Sequence, residues 1–376
     1  MTHSENSVLQ KTAGRHEGAV YPSLRNKRVI ITGGGSGIGA GLVEGFVAQG
    51  ARVAFVDVAQ ADSMALVERL SAGAEHTPIF HPLDLTDIDA LDVTFKTMID
   101  QLGGVDILLN NAANDDRHTI DEVTPAYWDQ RMSVNLRHLF FAAQAVVPSM
   151  KAAGGGAIVN FGSISWHLGM KDLILYQTAK AAIEGLTRSL ARDLGRDCIR
   201  VNAIIPGNVQ TPRQEKWYTP EGEAEIVAAQ CLDGRIQPID VAALVLFLAS
   251  DDARMCTGHD YFVDAGWRRG QPWGVAVTVP AGYDRSGATN RLVSPRCPRV
   301  FQRHSGWRSM AEWRALGILP QGRALPADDV QATLMEPDGE GTTAYLLTGN
   351  YRVILDYNCS NFYALSVGLL ADAVEG

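Results

Sequence analysis

The chain has 376 residues, of which 46% are hydrophobic and 20% are charged, and its formal net charge at pH 7 is -9. This length allows two domains with sizeable cores, and the composition is that of an ordinary globular protein. The negative charge argues against nucleic acid and against an anionic membrane as the main partner.

The N-terminal segment, MTHSENSVLQKTAGRHEG, is polar and has no apolar run, so it predicts neither a signal peptide nor a membrane anchor. We expect a disordered leader over residues 1–24. The cysteines are far apart and form no CxxC motif, which favours reduced thiols over disulfides or zinc. They are Cys198, Cys231, Cys256, Cys297 and Cys359. Together these features predict a cytoplasmic protein.

From about residue 27, short β-branched runs alternate with helix-length segments. The runs that predict strands are 28–32, 52–57, 77–84, 105–110, 156–162, 199–206 and 260–264. Continuous apolar strands separated by helices are typical of a parallel sheet covered on both faces. The sequence therefore predicts an α/β fold over residues 25–270, with a doubly wound, seven-stranded parallel sheet.

The first predicted strand runs directly into a glycine-rich turn, 32-TGGGSGIG-39, and then into a helix over 37–50. Gly33 permits the tight turn, Gly37 allows the backbone to approach a pyrophosphate, and Gly39 allows close packing of the helix. The helix N-terminus offers free N–H groups and a positive dipole end to phosphates. The alternative is a tight turn without a ligand. The strand before and the helix after it favour a dinucleotide site.

Two carboxylates end the next two predicted strands. Asp57 is placed to bind both ribose hydroxyls of an adenosine and to repel a 2′-phosphate. Neither the glycine turn nor residues 58–62 offer a Lys or Arg for such a phosphate, so NAD is expected rather than NADP. Asp84 serves either the adenine edge or a turn, and the sequence leaves both open.

The stretch 176-YQTAK-180 places a phenol and an ammonium one helical turn apart on the same face. Taken alone, such a pair is typical of a solvated helix surface. Here it follows the glycine turn, the amides of 110-NNAAN-114 and the polar run 162-GSISWH-167. This combination and spacing resemble those of the short-chain dehydrogenase/reductase family over residues 25–268.

The resemblance implies a role for each matching residue. Tyr176 exchanges a proton with the substrate hydroxyl, Lys180 binds the nicotinamide ribose and lowers the tyrosine pKa, and Ser163 binds the reacting oxygen. Asn135 holds a water that connects Lys180 to solvent. The expected cofactor-binding residues are Gly33, Ser36, Gly37, Ile38, Gly39, Asp57, Asp84, Asn111, Tyr176, Lys180 and Val209. No metal is expected.

Elementary chemistry agrees with these roles. A phenol with an ordinary pKa near ~10 is a poor base at neutral pH, whereas a neighbouring ammonium and a nicotinamide cation both favour the phenolate. One position departs from the family pattern, since Ala113 stands where NNAG has its glycine. If that position requires a positive φ, alanine costs on the order of 1 kcal/mol and weakens NAD binding.

Polar loops flanked by aromatic residues suit a polyhydroxylated ring better than a steroid or an acyl chain. Strings such as NDDRH, NFGSISWHLG and RQEKWYTPEGEAEIVAAQC resemble the bacterial NAD-dependent D-xylose dehydrogenases, which oxidise an anomeric hydroxyl to a lactone. The candidate sugar contacts are Asn114, Ser165, His167 and Asn208, although solvated loop residues are the alternative at each position. Other functions considered are a 3-oxoacyl-type carbonyl reductase and an NAD-binding module without catalysis.

The composition changes at about residue 270, after which the strand–helix alternation stops. The tail, 271–376, is expected to be an irregular extension and resembles the C-terminal part of B-type membrane-bound lytic murein transglycosylases. None of its glutamates, Glu312, Glu336, Glu340 and Glu375, matches that family's catalytic motif, so no glycan cleavage is expected.

A gene fusion is the preferred interpretation of the tail. The alternative is a glycan-binding appendage that uses Trp273, Trp307, Trp313, Tyr357 and Tyr363. Short-chain dehydrogenases form tetramers through the helices that here hold 126–151 and 176–195, and through the last strand. A homotetramer is therefore expected if the tail permits it.

Overall fold

A computed structural model describes residues 18–215, 218–267, 274–283, 304–321, 325–326, 328–337, 343–348, 351 and 365. The chain divides into two compact units, Met1–Arg268 and Arg269–Gly376. Cys297 and Cys359 lie outside the described residues, as do residues 1–17 of the expected leader.

The first unit is built on a seven-stranded parallel sheet with the strand order β3-β2-β1-β4-β5-β6-β7. Its strands are β1 (Arg28–Thr32), β2 (Arg52–Asp57), β3 (Ile79–Pro82), β4 (Ile107–Asn110), β5 (Gly156–Phe161), β6 (Ile199–Pro206) and β7 (Asp260–Val263). The order reverses direction between β1 and β4, which opens a crevice at the carboxyl ends of these strands. The doubly wound fold expected from the sequence is confirmed.

Helices cover both faces of this sheet. They are α1 (Gly37–Ala48), α2 (Gln60–Ser71), α3 (Ile88–Leu102), α4 (Pro125–Met132), α5 (His138–Ala152), α6 (Ile164–Leu168), α7 (Ile174–Leu194), α8 (Pro212–Glu215), α9 (Pro220–Ala228) and α10 (Pro238–Ala249). Successive strand residues point to opposite faces. Val29 and Ile31 therefore join the core beneath α1 and α10, whereas Ile30 joins the core beneath α3 and α5.

Two boundaries differ from the sequence-based expectation. The third strand was expected over 77–84 but ends at Pro82, because Asp84 accepts hydrogen bonds from the backbone and hydroxyl of Thr86 and forms a turn. The leader was expected to reach residue 24. Instead, Pro22–Leu24 form one turn of 3-10 helix, and the side chain of Leu24 is fully buried in the core.

The second unit contains a five-stranded antiparallel sheet with the order β10-β8-β12-β11-β9. Its strands are β8 (Gly274–Thr278), β9 (Arg308–Ser309), β10 (Leu319–Pro320), β11 (Gln331–Met335) and β12 (Ala344–Thr348), and one helix, α11 (Met310–Ala315), follows β9. The expectation of an irregular tail is therefore wrong for these segments. Their strands are short and separated by long Pro- and Gly-containing stretches, which hides the alternation on which strand prediction depends.

Among the described residues, no helix is both long enough and apolar enough to cross a bilayer.

Candidate active site

A cleft of about 520 Å³ lies at the carboxyl ends of the parallel strands in the first unit. The predicted site residues that line it are Gly33, Ser36, Gly37, Ile38, Gly39, Asp57, Asp84, Asn111, Asn114, Ser163, Ser165, Tyr176, Lys180, Asn208 and Val209. Two others, Asn135 and His167, are not among its lining residues. The fold thus gathers into one cleft residues that are spread over most of the first unit.

The glycine turn has a shape that side chains would prevent. Gly33 has φ +67°, in the left-handed region that favours glycine. A Cβ on Gly39 would overlap the carbonyl oxygen of Gly33, which also accepts a hydrogen bond from Asn111 Nδ2 at 2.8 Å. No side chain among the described residues caps the N-terminus of α1 at Ser36. Its backbone N–H groups therefore face the cleft in the arrangement that binds phosphate groups.

Asp57 is held rigidly at the end of β2. Its Oδ2 accepts a hydrogen bond from Gly35 N at 2.8 Å, and its Oδ1 accepts one from Ala59 N at 2.9 Å. The carboxylate therefore links the glycine turn to the start of α2 while its remaining lone pairs face the cleft. Asp84 combines the two alternatives left open by the sequence, since it forms the turn described above and also lines the cleft.

Tyr176 and Lys180 lie one turn apart on α7 and face the sheet. Lys180 is buried, and its Nζ donates a hydrogen bond to the carbonyl oxygen of Phe161 at 2.6 Å and lies 5.4 Å from the centroid of the Tyr176 ring. Ser163 begins α6, where its Oγ accepts a hydrogen bond from Ser165 N at 3.1 Å. The pair is therefore not the solvated surface pair that the spacing alone would favour.

Burial dominates the titration of both groups. It raises the pKa of Tyr176 well above its ordinary value, as does the Asp115 carboxylate, while a hydrogen bond with Ser163 lowers that pKa. It also lowers the pKa of Lys180 to about 7. The sequence led us to expect a lowered tyrosine pKa. The residues of the chain shift it in the opposite direction, because desolvation disfavours the phenolate.

Asn135 fixes the segment that follows β4, in which Ala113 lies. Asn135 lies in a π-helical turn, Ser133–Arg137, between α4 and α5, and is fully buried. Its Oδ1 accepts a hydrogen bond from Asn114 N at 2.8 Å, and its Nδ2 donates to Asn114 O at 3.0 Å. Ala113 is not among the residues with positive φ, so the departure from the family pattern carries no left-handed strain.

The four candidate sugar contacts have different surroundings. Asn114 and Ser165 line the cleft near Ser163. Asn208 also lines it, but its amide already donates to the Tyr218 hydroxyl at 2.7 Å and accepts from Arg235 at 2.8 Å. His167 is placed away from the cleft-lining residues.

The ring of His167 is buried against α7. Its Nε2 lies 2.9 Å from Glu184 Oε1, which also accepts from Trp166 Nε1 at 2.7 Å. The ring also stacks on Trp166 and meets the edge of Phe262. These contacts hold the ring against α7, and the role of His167 as a sugar contact stays a prediction.

Comparisons with known proteins agree with this geometry. A family model described as enoyl-(acyl carrier protein) reductase matches residues 33–268. Over 250 residues the chain is 64% identical to D-xylose 1-dehydrogenase of Caulobacter vibrioides, covering 66% of this chain and 99% of that protein. The chain belongs to the short-chain dehydrogenase/reductase family. This short-chain dehydrogenase is therefore an oxidoreductase acting on CH–OH groups with a nicotinamide cofactor.

Other relatives widen the comparison. Over 247 residues this short-chain dehydrogenase is 49% identical to a probable galactose dehydrogenase of Rhizobium meliloti, covering 65% of this chain and 96% of that one. Among solved structures it is similar to a blue fluorescent protein from a metagenomic library in complex with NADPH, with a TM-score of 0.60 and 35% identity over 65% of this chain and 99% of that one. A short-chain type dehydrogenase/reductase from Mycobacterium ulcerans gives a TM-score of 0.62 with 26% identity over 66% and 91% of the two chains.

The sequence did not single out several residues that line the cleft of this short-chain dehydrogenase. They are Ala112, Asp115, Arg117, Met170, Arg213, Tyr218 and Trp267, among others. Arg213 reaches from α8 to the segment after β4, where its Nη2 contacts Asn114 Oδ1 at 2.8 Å and Asp115 Oδ1 at 3.0 Å. The available signal was Pro212, since proline is favoured at the first position of a helix and so predicts the start of α8.

The second unit of this short-chain dehydrogenase carries the other resemblance. A transglycosylase SLT domain model matches residues 246–372, which confirms the similarity expected for the tail. Glu312 caps α11 and accepts hydrogen bonds from Ser309 N at 2.7 Å and Ser309 Oγ at 2.9 Å. These bonds lower the pKa of the carboxyl, the opposite of what a general acid needs.

The candidates for a glycan-binding appendage that the structure describes, Trp307 and Trp313, are not fully exposed. Trp313 is fully buried, and its Nε1 donates to Ala332 O at 3.0 Å, so it is a core residue. Trp307 is half-buried. Trp273, Tyr357 and Tyr363 lie outside the described residues, together with Glu340 and Glu375.

Proposed function

We propose that this short-chain dehydrogenase oxidises the C1 hydroxyl of an aldopyranose, with D-xylose as the first candidate, to the lactone and transfers the hydride to NAD. The observation that carries the proposal is the 64% identity to D-xylose 1-dehydrogenase across 99% of that protein. The 49% identity to a second aldose dehydrogenase supports the same substrate class. The polar rim of the cleft, with Asn114, Asp115 and Arg213, suits a substrate with several hydroxyl groups.

The residues of the chain fit a dinucleotide. The glycine turn leaves no space for a Cβ at Gly39, the open N-terminus of α1 suits a pyrophosphate, and Asp57 is fixed where a ribose would bind. When bound, the nicotinamide accepts the hydride from C1, and its positive charge favours the Tyr176 phenolate.

Tyr176, Ser163 and Lys180 then have complementary tasks. The phenolate oxygen of Tyr176 takes the proton of the C1 hydroxyl as the C1–O bond becomes a carbonyl. The Ser163 hydroxyl holds the same oxygen while its charge changes. Lys180, fixed by its hydrogen bond to Phe161 O, holds its Nζ 5.4 Å from the centroid of the Tyr176 ring. Asn135 holds the backbone of Asn114 and so keeps the rim of the cleft in position.

The choice of NAD over NADP rests on Asp57. Among the residues that line the cleft, the cations are Lys180, Arg117 and Arg213, and none belongs to the segments that follow β1 and β2. A 2′-phosphate would therefore meet the Asp57 carboxylate without a compensating cation. Two like charges about 4 Å apart repel by on the order of 4 kcal/mol near a protein surface.

We expect Asp57→Ser to raise the ratio of kcat/KM with NADP to that with NAD by at least about tenfold, which corresponds to about 1.4 kcal/mol. The measurement is the initial rate of NADH or NADPH formation, followed by nicotinamide absorbance. Asp62→Ser is the matched control, since Asp62 lies on α2 outside the cleft. An unchanged ratio in Asp57→Ser would remove the carboxylate as the source of cofactor choice.

The function itself is tested with a panel of substrates. We expect the purified chain and NAD to form NADH with D-xylose, D-galactose, L-arabinose or D-glucose, and most efficiently with D-xylose. The control reaction is reduction of a 3-oxoacyl thioester with NADPH, because the family model carries the description of an acyl reductase. Turnover of the thioester without turnover of any aldose would replace the sugar dehydrogenase by a carbonyl reductase.

A further inference from the structure

Two charged residues from distant parts of the chain meet at the rim of the cleft. Asp115 lies in the segment after β4, and Arg213 lies on α8. Both line the same cleft as Tyr176 and Ser163. Arg213 Nη2 contacts Asp115 Oδ1 at 3.0 Å and also reaches Asn114 Oδ1 at 2.8 Å. The ion pair therefore joins the two sides of the substrate end of the cleft.

Asp115 and its neighbour Asp116 have different surroundings although both pair with Arg213. Asp116 contacts Arg213 at 2.8 Å and Arg131 at 3.2 Å, and it does not line the cleft. Asp115 does line it, and Arg213 is the cation that its carboxylate meets among the described residues. An ionised carboxylate has about four acceptor sites. The Asp115 carboxylate thus has acceptor capacity left on the side of the ligand.

The charge of Asp115 also reaches the reacting groups. For Tyr176, burial is the larger cause of the raised pKa and the Asp115 carboxylate adds to it. For Lys180, the carboxylate raises the pKa against the larger lowering effect of burial. Coulombic interaction of this kind falls off with distance, so the carboxylate lies close enough to affect a substrate bound beside the phenol. The side chain of Asp115 is 40% exposed, so solvent and ligand can both reach it.

We propose that Asp115, positioned by Arg213, is a substrate-binding residue that accepts hydrogen bonds from ring hydroxyls and selects polyhydroxylated substrates over those with a single hydroxyl. The proposal rests on the proposed function, because it assumes a cyclic substrate that Tyr176 deprotonates at one hydroxyl. A carboxylate suits neighbouring hydroxyls because its two oxygens accept in parallel. Asn114 also accepts a hydrogen bond from Arg213, but its amide carries no charge. Its backbone is held by Asn135 and so helps to position this segment.

The inference is tested with two substrates that differ only in the hydroxyls under discussion. D-Xylopyranose and 2-hydroxytetrahydropyran both present an anomeric hydroxyl on a six-membered ring, but the second has no other hydroxyl. We expect Asp115→Asn to lower kcat/KM for D-xylose by about 10-fold to 100-fold, mainly through KM, as for loss of hydrogen bonds to a charged group. The same variant should change kcat/KM for 2-hydroxytetrahydropyran by less than about threefold.

Asp116→Asn is the matched control, because it removes a carboxylate from the same arginine outside the cleft. It should leave both substrates within about twofold. Equal losses on the two substrates in Asp115→Asn would mean that the charge acts only on Tyr176 and Lys180, which overturns the inference. Equal losses in the Asp115 and Asp116 variants would assign the effect to Arg213 alone, with the same consequence.

The wild-type chain separates this inference from the proposed function. If it oxidises D-xylose and 2-hydroxytetrahydropyran with equal kcat/KM, selection by ring hydroxyls is wrong while the dehydrogenase stands. If it oxidises 2-hydroxytetrahydropyran but no aldose, both the sugar substrate and the role of Asp115 are wrong. Arg213→Gln provides a second variant that keeps the carboxylate, and it should raise the KM for D-xylose by a larger factor than the KM for 2-hydroxytetrahydropyran.

Discussion

Tyr176→Phe is expected to lower kcat for sugar oxidation by about 10²–10⁴-fold, the usual contribution of a positioned acid or base. The ring would keep its packing on α7, because phenylalanine has the same shape without the hydroxyl. The proton of the C1 hydroxyl would then lack its acceptor, while the glycine turn and Asp57 are untouched. NAD binding, measured by the change in intrinsic fluorescence, should therefore remain within about threefold of the wild type.

Tyr127→Phe is the matched control. Tyr127 lies on α4, packs against His118 and Arg131, and is not among the cleft-lining residues. Its kcat should match that of the wild type. A Tyr176→Phe protein that retains more than about a tenth of wild-type kcat would contradict the assignment of the proton acceptor.

Lys180→Met is expected to have two opposite effects, a loss of activity and a gain in the free energy of unfolding. Burial lowers the pKa of Lys180 to about 7, so the folded state disfavours the ammonium that the unfolded chain accepts freely. Each pKa unit corresponds to about 1.4 kcal/mol. The penalty therefore reaches a few kcal/mol, partly offset by the hydrogen bond to Phe161 O.

The pH dependence of that gain follows from the direction of the shift. Below about pH 7 both states carry the proton, and the folded state bears the full penalty. Between pH 7 and the ordinary pKa of 10.5 the unfolded state binds more protons, so the stability of the wild type rises with pH. The difference in unfolding free energy between Lys180→Met and wild type should accordingly shrink from pH 7 to pH 10.

Urea denaturation at several pH values measures this difference. Lys96→Met is the matched control, since Lys96 is an exposed residue of α3 paired with Asp92, and its effect should stay within about 0.5 kcal/mol at every pH. A Lys180→Met protein that is less stable than the wild type throughout this range would show that the hydrogen bond to Phe161 outweighs the burial penalty.

Both variants bear on one feature of the site. The chain buries a phenol and an ammonium together, although burial disfavours the charged form of each. Such an arrangement lowers stability and is found where function requires it. A bound nicotinamide cation would lower the pKa of Tyr176, the direction in which its hydrogen bond with Ser163 also acts.

The second unit illustrates where prediction from the sequence stops. The resemblance of the tail to a transglycosylase could be recognised from the sequence, and the family match confirms it. Its five-stranded sheet could not be predicted from the sequence, because β9 and β10 have only two residues each and the antiparallel pairing of β11 with β12 leaves no repeating pattern in the sequence. Trp313, a candidate only in the less favoured glycan-binding interpretation, lies in the core and donates a hydrogen bond to Ala332 O.

In the first unit, the sequence by itself determined the parallel sheet, the glycine turn and the Tyr176–Lys180 spacing, because these depend on local periodicity and on residues a few positions apart. Only the tertiary structure decided that His167 turns to Glu184 instead of the cleft and that Arg213 meets Asn114, 99 residues away in the sequence. It also decided that burial raises the pKa of Tyr176. Contacts and burial of this kind depend on side-chain direction and on distant segments brought together by the sheet, and no short pattern of residues encodes them.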